Sequence, residues 1–285
     1  MASINVNGAQ LEYFEKGSGE PLILVHGSSN DFRAWKHQQD ELSKHFRTIV
    51  YSRRYHWPNK EITEGEEYSM AEQLDDLEAL ISSLNVSPAH LMGHSYGAFL
   101  SLLLAIKNPT LVKSLILAEP PVFTLFISNE PKPLEILKMM FKTPLIGIEI
   151  MKFGKGVLVP ASEAMKQNKI EEGMQIFVKG IFGDDANRIY EIKKEEAESN
   201  LSNAKAELLG SGFMPIEEDS IRKVQTPALL VAGSKTRKIF RLFIDHLHKL
   251  LPNSEMVVIN NATHLMQADN PNEFNKTAIS FLNKK

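Results

Sequence analysis

The stretch Ala89-His90-Leu91-Met92-Gly93-His94-Ser95-Tyr96-Gly97-Ala98-Phe99-Leu100-Ser101-Leu102-Leu103-Leu104-Ala105 joins a short apolar run to a helical one through five residues with a glycine at each end. That order reads as a buried strand handed over to a helix through a sharp turn. The glycines on either side of Ser95 let the backbone bend without a Cβ clash, and the bend exposes the serine. A serine hydroxyl is a weak nucleophile until it is exposed and given a base. Ser95 is therefore the candidate nucleophile; the plainer reading is a Gly-Ser turn.

Working outward, β-type runs alternate with amphipathic ones. Residues 4–6 and 11–14 read as an opening hairpin, and residues 22–25, 48–51, 89–92, 114–118, 228–232 and 256–259 as buried strands. Ser69-Met70-Ala71-Glu72 has the form of a capping box, and Leu74, Leu77, Leu80, Ile81 and Leu84 after it share one helical face. The alternation predicts an α/β fold: a mostly parallel eight-stranded sheet flanked by helices. From residue 120 to about residue 215 no strong strand is found, only helical patterns, with Met139, Met140, Met151, Met165 and Met174 among them. The expected organisation is a core domain, 1–120 and 216–285, with a helical cap (lid) domain, 121–215, inserted between two late strands over the sheet edge where such folds bind ligands. Those methionines suit either an adaptable pocket lining or ordinary core filling. The charged run at 191–198 reads as a solvated helix face.

Composition narrows the function. With 285 residues, 43% hydrophobic content and a formal charge of −3, the chain can build a sizeable core and has no field that would draw nucleic acid or an anionic membrane. No basic-then-apolar leader opens the sequence and no apolar stretch reaches the roughly 18 residues of a membrane span. The absence of cysteine removes disulfides, thiolate nucleophiles and Cys-ligated metals. The expectation is a cytoplasmic protein with a small-molecule substrate, no nucleic-acid or membrane partner, and an oligomeric state that the sequence does not reveal.

A serine nucleophile needs a base. Residues 256–259 lead into Asn260-Asn261-Ala262-Thr263-His264, which sets His264 in a loop after a buried strand, in position to take and return the serine proton. His94 is pinned within the turn, His246 and His248 fall on a helix, and His37, His45 and His90 have no motif around them. No pair has metal-site spacing with carboxylate company, so no metal or other cofactor is expected.

With His26-Gly27-Ser28-Ser29 after the third strand, Gly93-His94-Ser95-Tyr96-Gly97 and a late His264, the chain resembles the α/β-hydrolase family, in its serine hydrolase branch, over nearly its whole length. The resemblance implies an oxyanion hole from the backbone amides of Ser28 and Tyr96, with His26 holding its loop. The chain departs from the family twice. Where the triad aspartate would stand, after residues 228–232, there is Thr236, which cannot hold an imidazolium charge. An alternative known in the family puts the acid after the preceding strand, where this chain has Glu119 followed by Pro120 and Pro121; Asp219, Asp245 and Asp269 are outsiders. The usual Arg-Gly-x-Gly-type loop is replaced by Ser52-Arg53-Arg54-Tyr55-His56-Trp57-Pro58, either a structural loop or an aromatic wall facing the pocket, which makes Arg54 and Trp57, with His26, candidate substrate-binding residues.

These readings converge on a serine hydrolase in which Ser95, His264 and Glu119 cleave a carboxylic ester or lactone through an acyl-enzyme. The alternatives are C–C hydrolysis of an activated diketone and a low-turnover ligand-binding protein of the same fold. A serine in place of an aspartate nucleophile disfavours dehalogenation and epoxide opening. Lys235, Arg237, Lys238 and Arg241 crowd a helix N-terminus, where the macrodipole disfavours cations. Either nearby carboxylates compensate them or they attract an anionic substrate group.

Overall fold

In a computed structural model that describes residues 1–63 and 65–285, eight strands form one sheet in the order β1-β2-β4-β3-β5-β6-β7-β8. They are β1 (Ala2–Val6), β2 (Ala9–Lys16), β3 (Pro21–Val25), β4 (Arg47–Tyr51), β5 (Ala89–His94), β6 (Val112–Ala118), β7 (Ala228–Gly233) and β8 (Ser254–Ile259). β1 and β2 form the antiparallel hairpin and β2 also runs antiparallel to β4; every other pairing is parallel. All eight expected strands are present, most of them a residue or two longer than the apolar runs that identified them.

The helices α1 (Gln39–Leu42), α2 (Met70–Ser83) and α3 (Tyr96–Lys107) belong to the first half of the sheet. Between β6 and β7 the described residues form helices and loops but no strand, with α4 (Pro133–Lys142), α5 (Pro144–Phe153), α6 (Val159–Lys166), α7 (Ile170–Phe182), α8 (Ala186–Glu198), α9 (Leu201–Leu209) and α10 (Glu218–Arg222). α11 (Lys238–Leu250), α12 (Met266–Asp269) and α13 (Pro271–Leu282) complete the chain.

Burial follows the strand period of two. On β3, Ile23 and Val25 enter the core shared with α2, α3 and α11, whereas Leu22 and Leu24 enter the opposite core, with Trp35 and Phe274. Both faces of the central strands are thereby covered, as a parallel sheet requires. In consequence the C-terminal strand ends share one edge, where the chain leaves β3 at His26, β5 at Ser95, β6 at Glu119, β7 at Ser234 and β8 shortly before His264.

The capping box does not form. Ser69 holds the extended conformation of an N-cap but makes no side-chain cap bond, and Glu72 reaches Arg54 at 3.2 Å instead. Arg54 also clamps buried Asp76, Nε to Oδ2 and Nη2 to Oδ1 at 2.7 Å each, and donates to the Asn7 carbonyl at 3.0 Å. This bidentate ion pair ties the loop after β4 to α2 and to the opening hairpin. Asp76→Ala strands a buried guanidinium and is expected to lower stability by about 3 kcal/mol in urea unfolding. The double change Arg54→Met with Asp76→Leu, which removes both charges, is expected to recover most of that loss.

Candidate active site

Ser95 follows β5 and stands at the N-cap of α3 with φ 51° and ψ −120°, a left-handed backbone rare for a residue with a side chain. The turn is closed by its N–H donating to the Ala118 carbonyl at 2.8 Å. The glycines serve close approach. A Cβ on Gly97 would lie 2.1 Å from the Val25 carbonyl oxygen, and one on Gly93 would lie 2.4 Å from that of Gly97. The strain thus sits on the serine itself, held there by neighbours too near to admit side chains.

Glu119 is fully buried at the end of β6 and is tied on three sides. Its Oε1 accepts the Gly233 N–H at 2.8 Å, while Oε2 accepts the Thr236 hydroxyl at 2.7 Å and His264 Nδ1–H at 2.5 Å. Its φ of 49° is also left-handed. Thr236 therefore does not merely replace a carboxylate but donates to the one supplied from the neighbouring strand. His264 Nε2, the other ring nitrogen, is buried without a hydrogen-bond partner among the described residues, and the ring stacks on Phe240 at 4.3 Å. His94 Nε2–H donates to the His264 carbonyl at 2.8 Å, and burial pushes the His94 pKa far down, which leaves that ring neutral. Asp269, an outsider as acid, accepts the Thr263 N–H at 2.8 Å and braces the same loop, and Asp245 pairs with Arg241.

The His26 loop explains itself through one carbonyl. Gly27 O accepts His26 Nδ1–H at 2.9 Å and Arg53 Nη2–H at 3.1 Å, and His26 Nε2 accepts the Arg53 N–H at 2.9 Å. Because the peptide is planar and trans, a Gly27 C=O anchored inward turns the Ser28 N–H the opposite way. Tyr96 opens α3, so its N–H has no acceptor within the helix. Burial and then the Arg53 charge hold His26 neutral. Both of its ring nitrogens are engaged and it does not line the cleft at Ser95, so its expected part in substrate binding is not supported.

The cleft has two lobes of about 80 Å³ each that meet at Ser95. Ser28, Ser29, Met174, Phe177 and Ile181 line both. One lobe is rich in aromatic side chains, among them Tyr96, Phe123, Phe153 and Phe213; the other holds His94, Tyr190, Lys193 and His264. Among the methionines of the insertion, Met174 alone lines the cleft, and Met165 packs with it in a small core.

Two expectations are corrected here, for the loop after β4 and for the charged run at 191–198. Arg54 is spent on Asp76, and Trp57 is 39% exposed, beneath the Arg33 guanidinium at 4.0 Å, so neither reaches the cleft and no aromatic wall forms from this loop. The run at 191–198 is not wholly solvated. Lys193 and Glu196 are buried as an ion pair at 2.8 Å, which Lys193 brings to the cleft. The cations after β7 do not line the cleft; Lys238 lies 3.8 Å from Glu149 and Arg241 lies 3.1 Å from Asp245. Sequence reasoning also missed Arg53, whose guanidinium lies 4.3 Å from the centre of the Tyr96 ring. Burial opposes its charge, but Tyr68 and Glu207 overcome that and raise its pKa.

Comparison with known proteins agrees with this fold. A family model described as alpha/beta hydrolase fold matches residues 20–148. An uncharacterized hydrolase of Bacillus subtilis is 32% identical over 133 residues, 47% of this chain and 49% of that protein, so the match spans about half of its length. The 2-(acetamidomethylene)succinate hydrolase of Mesorhizobium japonicum is 25% identical over 98% of this chain and 94% of its own. Among solved structures, a meta-cleavage product hydrolase of Pseudomonas fluorescens superposes with a TM-score of 0.73 at 18% identity, covering 100% of this chain and 98% of that one.

The strain at Ser95 is measurable. Ser95→Gly relieves the left-handed conformation and, after the entropy glycine loses on folding, is expected to stabilise the protein by about 1 kcal/mol in thermal unfolding. Ser95→Ala keeps the strain and is expected to stay within about 0.5 kcal/mol of the parent.

Proposed function

We propose that this member of the α/β-hydrolase fold family, a hydrolase like its relatives, is a serine hydrolase that cleaves a carboxylic ester or lactone through an acyl-enzyme. One observation carries the reading. His264 has Nδ1–H committed to Glu119 and Nε2 free, in the cleft where Ser95 stands. That is the tautomer and the orientation a general base needs.

In this reading Ser95 Oγ attacks the acyl carbon while Nε2 takes its proton. The negative charge that develops on the acyl oxygen is met by the Ser28 and Tyr96 N–H groups, which are fixed before the reaction and need not reorganise. The imidazolium is stabilised by Glu119, then gives its proton to the leaving alkoxide. Water, deprotonated by the same nitrogen, attacks the acyl-enzyme and returns the serine. The two lobes at Ser95 suit an acyl group on one side and an alcohol on the other, and the helical insertion serves as the cap that closes both.

A fluorophosphonate probe tests the nucleophile, since it labels an activated serine. Labelling of the parent and its loss in Ser95→Ala are expected; an unlabelled parent would overturn the reading and favour a ligand-binding protein. On a panel of acyl esters, lactones and an activated diketone, ester or lactone turnover is expected, and cleavage of the diketone alone would reassign the chemistry. Glu119→Gln is expected to lower kcat by about 10³–10⁴-fold, as loss of the carboxylate does in other triads. Arg53→Met loosens the anchored Gly27 carbonyl rather than deleting a donor, so kcat is expected to fall by about 10–100-fold with KM little changed, less than the loss of an oxyanion donor outright.

A further inference from the structure

The aromatic lobe contains one carboxylate that the reaction does not use. Glu207, on α9, lines this lobe with its side chain 10% exposed. Its Oε2 accepts the Tyr68 hydroxyl at 3.0 Å and Arg53 Nη2–H at 3.5 Å. Among the described residues Oε1 has no hydrogen-bond partner, and it is not among the sealed polar atoms. A carboxylate only accepts hydrogen bonds, and a half-used one in an apolar lobe discriminates strongly in favour of a group that can donate to it. The neighbouring Arg53 charge settles the kind of donor. With the guanidinium beside it the pair is neutral overall, so a second cation gains little, whereas a neutral O–H or N–H gains a charge-assisted bond.

We infer that Glu207 is a specificity-determining residue, and that the substrate portion bound in the aromatic lobe carries a neutral hydrogen-bond donor, a hydroxyl or an amide N–H, which Glu207 Oε1 accepts. Tyr68 and Arg53 hold the carboxylate by its other oxygen, so that Oε1 is presented in a fixed direction. The inference rests on the proposed function only in taking the Ser95 cleft as the substrate site.

The test is binding to the Ser95→Ala protein by calorimetry, with methyl esters of straight-chain acids of four to eight carbons, each paired with its ω-hydroxy counterpart. At one chain length or more the hydroxy ester is expected to bind about tenfold tighter than its plain partner, the scale of a hydrogen bond to a charged group. Glu207→Gln, which keeps an acceptor but not the charge, is expected to reduce that ratio to about threefold. Arg53→Met combined with Glu207→Leu removes both charges, which avoids stranding a buried guanidinium, and is expected to bring the ratio to one with the plain ester still bound. Equal binding of every pair, or a ratio that survives the double change, would overturn the inference. The parent's turnover of the plain esters reports on the hydrolase reading separately: turnover without a hydroxyl preference sinks this inference alone, and a preference without turnover sinks only the other.

Discussion

The hydrogen bonds converging on Glu119 are the constraint on which the arrangement depends. This carboxylate sits at the end of β6, takes an amide from the end of β7 and a hydroxyl from the loop after it, and holds a histidine delivered by the loop after β8. Three consecutive chain segments of the sheet edge are thereby fixed relative to one another by a single buried side chain. A buried carboxylate is tolerable only when its lone pairs are satisfied, and here both oxygens are. The register of the parallel pairings β6–β7 and β7–β8 sets the distances, so the sheet itself is the instrument that aims His264.

Opposite Glu119, Arg53 plays the corresponding part for the loop after β3. It meets the Gly27 carbonyl, the Tyr68 hydroxyl and the face of Tyr96. Its charge is held in the interior by Tyr68 and Glu207, while the nearby rings of His26 and His56 are kept neutral by burial and by Arg53 itself. Neutral imidazoles can accept as well as donate, which is what His26 does in the same loop.

The fold was legible because its signals are local: apolar runs with a period of two, a glycine-flanked serine, and a long interval without strands. Ser95 and His264 were legible for the same reason, each standing just past a recognisable strand. Glu119 could be placed because Thr236 left the usual position empty, but the hydroxyl's bond to that carboxylate is a cross-strand contact with no trace in the spacing. Arg53 and Arg54 show where sequence stops. They are adjacent and chemically identical, yet one turns inward to Gly27 and the other to Asp76 on α2, a choice made by tertiary partners 20 or more residues away. Lys193 and Glu196 were hidden in a charged run for a related reason, since composition does not tell a solvated ion pair from a buried one.

Chain segments divide labour at the cleft. Ser28, Ser95, Tyr96, Glu119 and His264 all come from the edge of the sheet, whereas Met174, Phe177, Ile181, Lys193 and Glu207 come from helices of the insertion. The two sets meet in space but not in sequence, and the insertion leaves and rejoins the sheet between adjacent parallel strands. In the proposed reading, drift among the lining residues of the insertion that do not touch Arg53 can therefore change what is admitted without disturbing what is done to it. The architecture is that of a fixed tool with an interchangeable jig, and substrate range is the property expected to diverge first among proteins built this way.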